Sequence, residues 1–343
     1  MTTYQFPKID LHNHLDGSFR PETMYELAHK YGIETEVPTV EEYRALTRHR
    51  ANCGSVNEYL KMFDLPCAVM QTREALERMT FELGEDLFRQ GVAYAEIRFA
   101  PQQHVSGELN QASAIEAVID GAKRCMEQYP IKLGILACMM VYGSEKINWD
   151  ANMETVETAA KYLGSGLVGI DLAGAEGLVP LENFAPFFDR ARELNLPFTC
   201  HAGDSPGPET VEAAVYIFGA RRIGHGHHVY FDPHLVRRIA KTDVLFEICP
   251  TSNIQCQTEP SYEKHPAKNM MEMGLKVSIN TDNQYLADVT LDSEYDHCLN
   301  EMGFTMRDLI QMNLNAINAS FCEESVKAPI RRELEALLEQ QPE

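Results

Sequence analysis

Histidines and one aspartate recur at the ends of short apolar segments of this chain, and these residue types bind transition metals. His12 and His14 stand two apart in "KIDLHNHLDG", while His201 lies in "PFTCHAGD" and Asp282 in "KVSINTDN". Residues two apart share one face of a strand, so a strand over the first segment would project both imidazoles to the same side. Imidazole nitrogens with one carboxylate suit Zn²⁺ with an added water, although iron or manganese would also fit. The four residues therefore predict a metal site.

A metal-bound water needs a partner that takes or directs its proton, because the metal lowers the pKa of that water towards ~7. His225 in "RRIGHGHH" is placed for this role. The adjacent His227 and His228 are interpreted as loop or packing residues. Six other histidines are interpreted as surface or packing residues: His29, His49, His104, His234, His265 and His297.

Eight short apolar segments, most of them followed by an amphipathic helical pattern, would position these side chains. They begin at positions 7, 92, 132, 167, 197, 221, 244 and 276. Strands that alternate with helices pair in parallel through right-handed crossovers, so eight such units predict an α/β fold, a closed (β/α)₈ barrel. Active sites of this fold lie at the carboxyl ends of the strands, and the candidate ligands, His225 and Asp204 all end their segments. One end of the barrel is therefore the predicted active site.

Two regions extend the barrel pattern. Residues 20–84 are too long for one crossover helix and predict a helical insertion after the first strand, a candidate lid over the barrel mouth. The tail after Thr290 predicts extra C-terminal helices. No linker or repeat divides the chain, so residues 1–343 are expected to form a single metal-dependent domain.

The fourth apolar segment, "LVGIDLAGAE", limits the kind of metal site. Binuclear metal hydrolases on this barrel commonly bridge two ions with a modified lysine there, and this segment has no lysine, so a single metal is favoured. Gly174 in the same segment would let a ligand approach the backbone N–H closely, because glycine carries no Cβ.

Charge and composition exclude several function classes. The formal net charge is −21, from 30 basic and 51 acidic residues, which argues against nucleic acid and anionic membranes as partners. The N-terminus has no apolar run of the kind a secretory signal needs, and no segment approaches the length of a transmembrane helix. The nine cysteines form no C-x-x-C pair, so reduced thiols in a cytoplasmic enzyme are expected. The sequence does not predict an oligomeric state.

Six segments occur in the order in which one known family has its signatures. They are "PKIDLHNHLDGSFRPET", "GIDLAGAEG", "HAGDSPGPE", "RRIGHG", "CPTSN" and "VSINTDN". Together they resemble the adenosine deaminase family of the amidohydrolase superfamily across nearly the whole chain. The resemblance implies hydrolytic deamination of adenosine and 2′-deoxyadenosine to inosine and 2′-deoxyinosine plus ammonia. The H-x-E and P-C-x-x-C signatures of the other zinc deaminase class are absent.

The resemblance also implies a role for each matching position on the metal side. One Zn²⁺ per chain would activate a hydroxide that attacks C6 of the purine, and His225 would orient and help deprotonate the water. Asp282 would act in catalysis as well as in metal binding, and His14 would also line the substrate site. The ligands implied are His12, His14, His201 and Asp282.

On the substrate side, four further positions match the family. Asp204 would protonate ring N1, which makes C6 electrophilic. The backbone N–H of Gly174 would contact ring N3, and Asp16 would hydrogen-bond the ribose hydroxyl end. The side chain of Asn283 would contact ring N7. Each role rests on the resemblance.

Two of these positions depart from the family's usual residues. The usual H-A-G-E is "HAGD" here, so Asp204 places its carboxyl one methylene closer to the backbone. The usual T-D-D is "TDN", so Asn283 replaces an aspartate. The second change is mild, because ring N7 is an acceptor and an amide donates to it without first holding a proton.

Three alternatives remain at this point. The substrate could be a related aminopurine, such as adenine, an N6-substituted adenine or a larger adenosine derivative. Asp16 disfavours a 5′-phosphate because a carboxylate would repel it, whereas Arg20 nearby in sequence weakens that inference. The same metal could hydrolyse an amide or ester, which would release no ammonia from an aminopurine. A metal- or nucleoside-binding barrel without turnover would require the change at Asp204 to have abolished catalysis.

Overall fold

Eight parallel strands form the centre of the protein, as the alternating pattern predicts. The computed structural model describes residues 4–52, 54, 59–142, 148–205 and 207–341. Within these ranges the strands are β1 Lys8–His14, β2 Val92–Phe99, β3 Lys132–Val141, β4 Leu167–Gly174, β5 Cys200–Ala202, β6 Arg222–His225, β7 Leu245–Ile248 and β8 Lys276–Ile279. Each lies within one of the eight predicted segments, so the predicted number and positions of the strands are confirmed.

The strands form two four-stranded parallel sheets, in the orders β1-β2-β3-β4 and β5-β6-β7-β8. Isolated parallel bridges join the sheets at both seams, between Ile170 and Phe198 and between Asn13 and Asp282. At the second seam the His14 amide donates to the Asp282 carbonyl at 2.7 Å, and the Asp282 amide donates to the His12 carbonyl at 2.8 Å. The predicted (β/α)₈ barrel is therefore confirmed, and its second seam joins two segments that carry candidate ligands.

Helices surround the strands. In chain order they are α1 Pro21–Tyr31, α2 Val40–Ala51, α3 Asp64–Val69, α4 Arg73–Arg89, α5 Gln111–Gln128, α6 Trp149–Tyr162, α7 Ala185–Glu193, α8 Pro208–Ala213, α9 Pro233–Ile239, α10 Pro250–Gln255, α11 Ala267–Glu272, α12 Leu291–Asn300, α13 Met306–Ala319 and α14 Glu324–Glu339. The predicted helix after β5 is α-helical only as far as Ala213 and continues as a π-helical turn to Phe218. No helix in the described part of the chain is long and apolar enough to cross a bilayer.

The predicted insertion contains α1 to α3 and the start of α4. Thr72 caps the start of α4, since its side chain accepts a hydrogen bond from the Ala75 amide, and the helix continues through Gly84 to Arg89. Gly84 therefore does not end the insertion. A Cβ at Gly84 would stand 2.6 Å from Cys125 Sγ, so this glycine allows α4 to pack closely on α5. The helix that crosses from β1 to β2 is α4, and the residues before it form the extra segment.

The extra C-terminal helices are joined to the barrel through a buried carboxyl group. Glu294 of α12 accepts hydrogen bonds from the amide and the hydroxyl of Thr251, at 3.1 and 3.0 Å. Burial raises the pKa of Glu294 to about 8. The protonated form is therefore the one that the folded protein holds at neutral pH.

We expect Glu294→Gln to change how stability depends on pH. A folded pKa above the unfolded value near 4.5 gives stability at low pH that is lost as the pH rises through the folded pKa. The free energy of unfolding of the wild type should fall, relative to the variant, by up to about 1.4 kcal/mol per pH unit between about pH 4.5 and 8, and then level off. Urea unfolding across this range measures it, with exposed Glu333→Gln as the control. Parallel curves for wild type and Glu294→Gln would mean that Glu294 is ionised.

Candidate active site

The four predicted metal ligands meet at the carboxyl end of the barrel. His12 and His14 end β1, His201 lies on β5, and Asp282 follows β8. Asp282 Oδ1 lies 3.5 Å from His12 Nε2 and 3.4 Å from His14 Nε2. The ring of His201 has its centroid 4.6 Å from that of His12 and 5.4 Å from that of His14. Residues from both ends and the middle of the chain thus converge on one point.

The spacing and bonding of these atoms fit a metal ion. Two donors that bind a tetrahedral ion at about 2.0–2.1 Å stand about 3.3–3.4 Å apart, which is close to the two distances from Asp282 Oδ1. His12 Nε2 is buried and has no hydrogen-bond partner, a costly state that a metal ion would relieve. The Nδ1 atoms of His12 and His201 are each engaged by another carboxylate, so both Nε2 atoms remain available to an ion.

Burial sets the protonation of two predicted ligands, His12 and His14, whereas at His201 the carboxylate of Asp171 outweighs burial and raises the pKa. Burial lowers the pKa of His12 and lowers that of His14 well below 6.5, so both imidazoles keep their lone pairs at neutral pH. Two neutral imidazoles beside a carboxylate are the protonation states that Zn²⁺ requires.

Two carboxylates that the sequence analysis did not select orient the histidines from within the barrel. Glu247 Oε2 lies 3.0 Å from His12 Nδ1, and Asp171 Oδ2 lies 3.0 Å from His201 Nδ1. Arg98 bonds both carboxylates, at 2.7 and 2.8 Å. His12 therefore donates its Nδ1 hydrogen to a fixed acceptor, and Asp171 stands beside Nδ1 of His201, which leaves Nε2 of both rings for the candidate metal position. A signal was present in the sequence, since both acidic residues interrupt otherwise apolar strands.

We expect Asp171→Asn to weaken metal binding about 10- to 100-fold, the usual cost of losing a group that orients a metal-binding histidine. Glu96→Gln is a matched control, because Glu96 is equally buried and pairs with Arg222 but contacts none of the predicted metal-binding histidines in the described structure. Competition with a chelator measures the affinity. Equal weakening in both variants would mean that these buried ion pairs act only through general stability.

Asp204 follows β5 and lines the same cavity. Its backbone is held by Glu176, whose carboxylate accepts the amides of Gly203, Asp204 and Ser205 at 2.6, 3.0 and 3.2 Å. These three bonds fix the turn that carries the shorter acid. Part of the proline-containing stretch that follows, at position 206, lies outside the described residues.

His225 lies beside the candidate metal position, with its ring centroid 4.9 Å from that of His12 and 5.3 Å from that of His201. His225 and Asp282 both have a φ of 58°, a left-handed conformation that non-glycine residues adopt rarely and mostly at functional sites. Both left-handed residues, one at the end of β6 and one just after β8, therefore belong to the predicted site.

Three other histidines, His227, His265 and His104, are also buried, but they have different contacts. His227 is fully buried with its Nε2 3.6 Å from Glu259 Oε1 and its Nδ1 3.9 Å from Asp204 Oδ1. His265, interpreted from the sequence as a surface or packing residue, is buried and hydrogen-bonded at 3.2 Å to Asn253, which contacts Asp204. His104 fits that interpretation, since it packs in the core and bonds the Met70 carbonyl.

A cavity of about 380 Å³ opens above these residues, a size suited to a small molecule. Gly174 lines it with a φ of 106°, and a Cβ there would stand 2.7 Å from the Val141 carbonyl, so only glycine fits. Asp16 lines it as well, and burial raises the pKa of Asp16 to about 7. Asn283 also lines the cavity and packs closely on Gly17, where a Cβ would stand 1.9 Å from Asn283 Oδ1.

Comparison with known proteins agrees with this arrangement. The sequence profile described as Adenosine deaminase matches residues 7–337. A protein named adenosine deaminase from Clostridium perfringens is 35% identical over 336 residues, which cover 96% of this chain and 98% of that protein. An Arabidopsis N6-mAMP deaminase structure superimposes with a TM-score of 0.84 at 28% identity, over 96% of this chain and 98% of the other.

One structural neighbour contains zinc. An amidohydrolase from Burkholderia ambifaria, solved with bound Zn, superimposes with a TM-score of 0.87 at 25% identity, over 98% of this chain and 91% of the other. The profile match and the similarity to the Clostridium perfringens protein both span nearly the whole chain. The chain belongs to the adenosine deaminase family and is an aminohydrolase.

Proposed function

We propose that the protein hydrolyses adenosine and 2′-deoxyadenosine to inosine and 2′-deoxyinosine plus ammonia. The observation that carries this proposal is the convergence of His12, His14, His201 and Asp282 beside one acid, Asp204, in a single cavity. A metal site can activate water, and an acid in the same cavity can protonate a ring nitrogen of a bound purine. Deamination at C6 needs both functions at once.

His12, His14, His201 and Asp282 would hold one Zn²⁺ per chain. When bound, the ion would lower the pKa of a water to ~7 and so supply hydroxide at neutral pH. Glu247 and Asp171 hold two of the imidazoles in the orientation that this requires. The unpartnered His12 Nε2 supports this assignment from the protein's own atoms.

The remaining cavity residues would place the purine ring. Asp204 would donate a proton to N1 so that C6 becomes electrophilic, and His225 would orient the attacking water. Gly174 would offer its backbone N–H to N3, and its lack of a Cβ allows the approach. Asn283 would donate its amide to N7. The proton given to N1 stays on the 6-oxopurine product, so Asp204 must regain a proton in every turnover.

The contacts of Arg20 favour a nucleoside over a nucleotide. Arg20 is paired with Glu85 and Asp86 at 2.5 and 2.6 Å, so its charge is already matched and it does not line the cavity. Asp16 does line the cavity and would meet the hydroxyl end of the ribose. A phosphate at that end would face a carboxyl group instead of an arginine. Purine salvage in the cytoplasm, with no nucleic-acid or membrane partner, stays a prediction.

The test is to follow both ammonia and the 6-oxopurine product with zinc-loaded enzyme. The substrates are adenosine, 2′-deoxyadenosine, adenine, N6-methyladenine and AMP. Because N6-methyladenine would release methylamine instead of ammonia, its conversion is followed by absorbance. We expect the two nucleosides to have the highest kcat/KM. Turnover of adenine or N6-methyladenine instead would favour a related aminopurine. Absence of product from all five would overturn the proposal and leave amide or ester hydrolysis, or binding without turnover.

We expect Asn283→Asp to keep deaminase activity but to make it fall as the pH rises. A carboxyl group can donate to N7 only while it is protonated, whereas the wild-type amide donates at every pH. The alkaline decline of kcat/KM should therefore begin at lower pH in the variant. Measured pH–rate profiles compare the two enzymes. Superimposable profiles would mean that residue 283 does not donate to N7.

A further inference from the structure

Asn253 contacts two residues of the proposed mechanism at once. It lies on the short helix α10 after β7 and is fully buried. Its Nδ2 is 2.8 Å from Asp204 Oδ1 and 3.1 Å from His225 Nδ1. Its Oδ1 is 3.2 Å from His265 Nε2. A single buried amide thus joins the proposed acid, the proposed water-orienting histidine and a third residue that the mechanism does not use.

His265 decides which way this amide is turned. The Ala267 amide donates to His265 Nδ1 at 3.2 Å, so that nitrogen is an acceptor. Burial lowers the pKa of His265 to about 3, and the neutral ring must then carry its hydrogen on Nε2. That hydrogen points at Asn253, which must present its carbonyl oxygen there. The NH₂ group of Asn253 is therefore directed at Asp204 and His225.

The orientation of the amide has consequences for both partners. One of its hydrogens goes to Asp204 Oδ1, so the acidic proton of Asp204 is placed on Oδ2. Thr258 Oγ1 is 3.2 Å from the same Oδ1 but equally far from the backbone carbonyl oxygen of Asn253, to which it can donate instead, so the side chain of Asn253 is the steadier donor. The other hydrogen goes to His225 Nδ1, which must accept it. A neutral His225 then carries its own hydrogen on Nε2, so in this tautomer it can orient the attacking water but cannot take its proton.

We propose that Asn253, locked in one orientation by His265, is a positioning residue that sets which oxygen of Asp204 holds the acidic proton and which nitrogen of His225 holds the ring hydrogen. This inference rests on the proposed deaminase function. It also explains how a shorter acid can work in this chain. Glu176 fixes the backbone of Asp204 and Asn253 fixes its carboxyl group, so little reach is lost to side-chain motion.

Kinetics test the coupling between the two residues. Asn253→Ala should lower kcat about 10- to 100-fold, the scale of a misplaced catalytic group, with KM and metal content nearly unchanged. His265→Ala should lower kcat less. Because His265 acts only through Asn253, the double variant should be no slower than Asn253→Ala alone. The exposed Asn318→Ala and His234→Ala serve as matched controls. Losses that multiply in the double variant would overturn the proposal.

A second measurement reads the ring tautomers directly in the wild-type protein. Two-bond ¹H–¹⁵N correlation of the zinc-loaded wild type, with ring signals assigned by single histidine replacements, reports each tautomer. We expect Nε2–H for both His225 and His265. An Nδ1–H tautomer at His225 would overturn the proposal, whatever the activity. A wild type with these tautomers but no deaminase activity would overturn the proposed function alone.

Discussion

Asp204→Ala should lower kcat by about 10²- to 10⁴-fold, the usual cost of losing a general acid, while the metal stays bound. The carboxyl group lines the cavity next to the proposed metal ligands, and three backbone amides of its turn donate hydrogen bonds to the carboxylate of Glu176. Asp204→Asn should behave similarly, because an amide cannot pass on a carboxyl proton. Steady-state kinetics and metal analysis on the same preparation measure both effects.

Asp204→Glu separates two explanations of how the shorter acid works. If the site still has the geometry of a glutamate enzyme, the longer side chain should regain reach and raise kcat. If the pocket is built around aspartate, as the bonds from Asn253 and Glu176 indicate, glutamate should crowd the ring and lower kcat. We expect the second result. Near-wild-type kcat in Asp204→Ala, with full metal content, would show that Asp204 is not the acid.

The chain's barrel and the meeting of its candidate ligands could be predicted from local patterns. Alternation in "KIDLHNH" placed His12 and His14 on one strand face, and the carboxyl ends of parallel strands meet at one end of a barrel. That rule brings His201 and Asp282 to the same point however far apart they lie in the chain. The insertion boundary was harder to predict, because the helix that contains Gly84 runs on to Arg89, and Gly84 serves close packing against Cys125.

The residues that orient the candidate ligands and Asp204 were harder to predict from the sequence. Glu247 and Asp171 left a signal, because a charged residue inside an apolar strand must find a buried partner. Asn253 ends "CPTSN", one of the segments that carry the family resemblance, but neither it nor His265 showed its contacts in the sequence, since an asparagine after "CPTS" is an ordinary turn residue and a histidine twelve positions later is most often a packing one. Their roles depend on hydrogen bonds whose lengths follow from the register of β7 and the path of the following loop.

His14→Ala should abolish metal retention and activity together, which makes it the largest effect that we expect. The side chain is one of two imidazoles within 3.5 Å of Asp282 Oδ1. Its removal therefore takes away a proposed metal ligand itself, and not a residue that only orients a ligand. The loss in metal affinity should exceed the roughly 10- to 100-fold cost of removing a residue that only orients a metal ligand. Metal analysis after gel filtration and the ammonia assay measure the two losses, and exposed His234→Ala is the control.

The His14→Ala result must be separated from simple unfolding. A ligand that binds only the folded state raises stability by an amount that grows with its concentration. Added Zn²⁺ should therefore raise the Tm of the metal-free wild type but not that of His14→Ala, while the two metal-free proteins unfold at similar temperatures. A variant that keeps one metal and full kcat would remove His14 from the ligand set. The proposed mechanism needs the metal, because Asp204 can protonate a purine but cannot supply hydroxide at neutral pH. A wild type that stays fully active after exhaustive chelation would therefore contradict this mechanism.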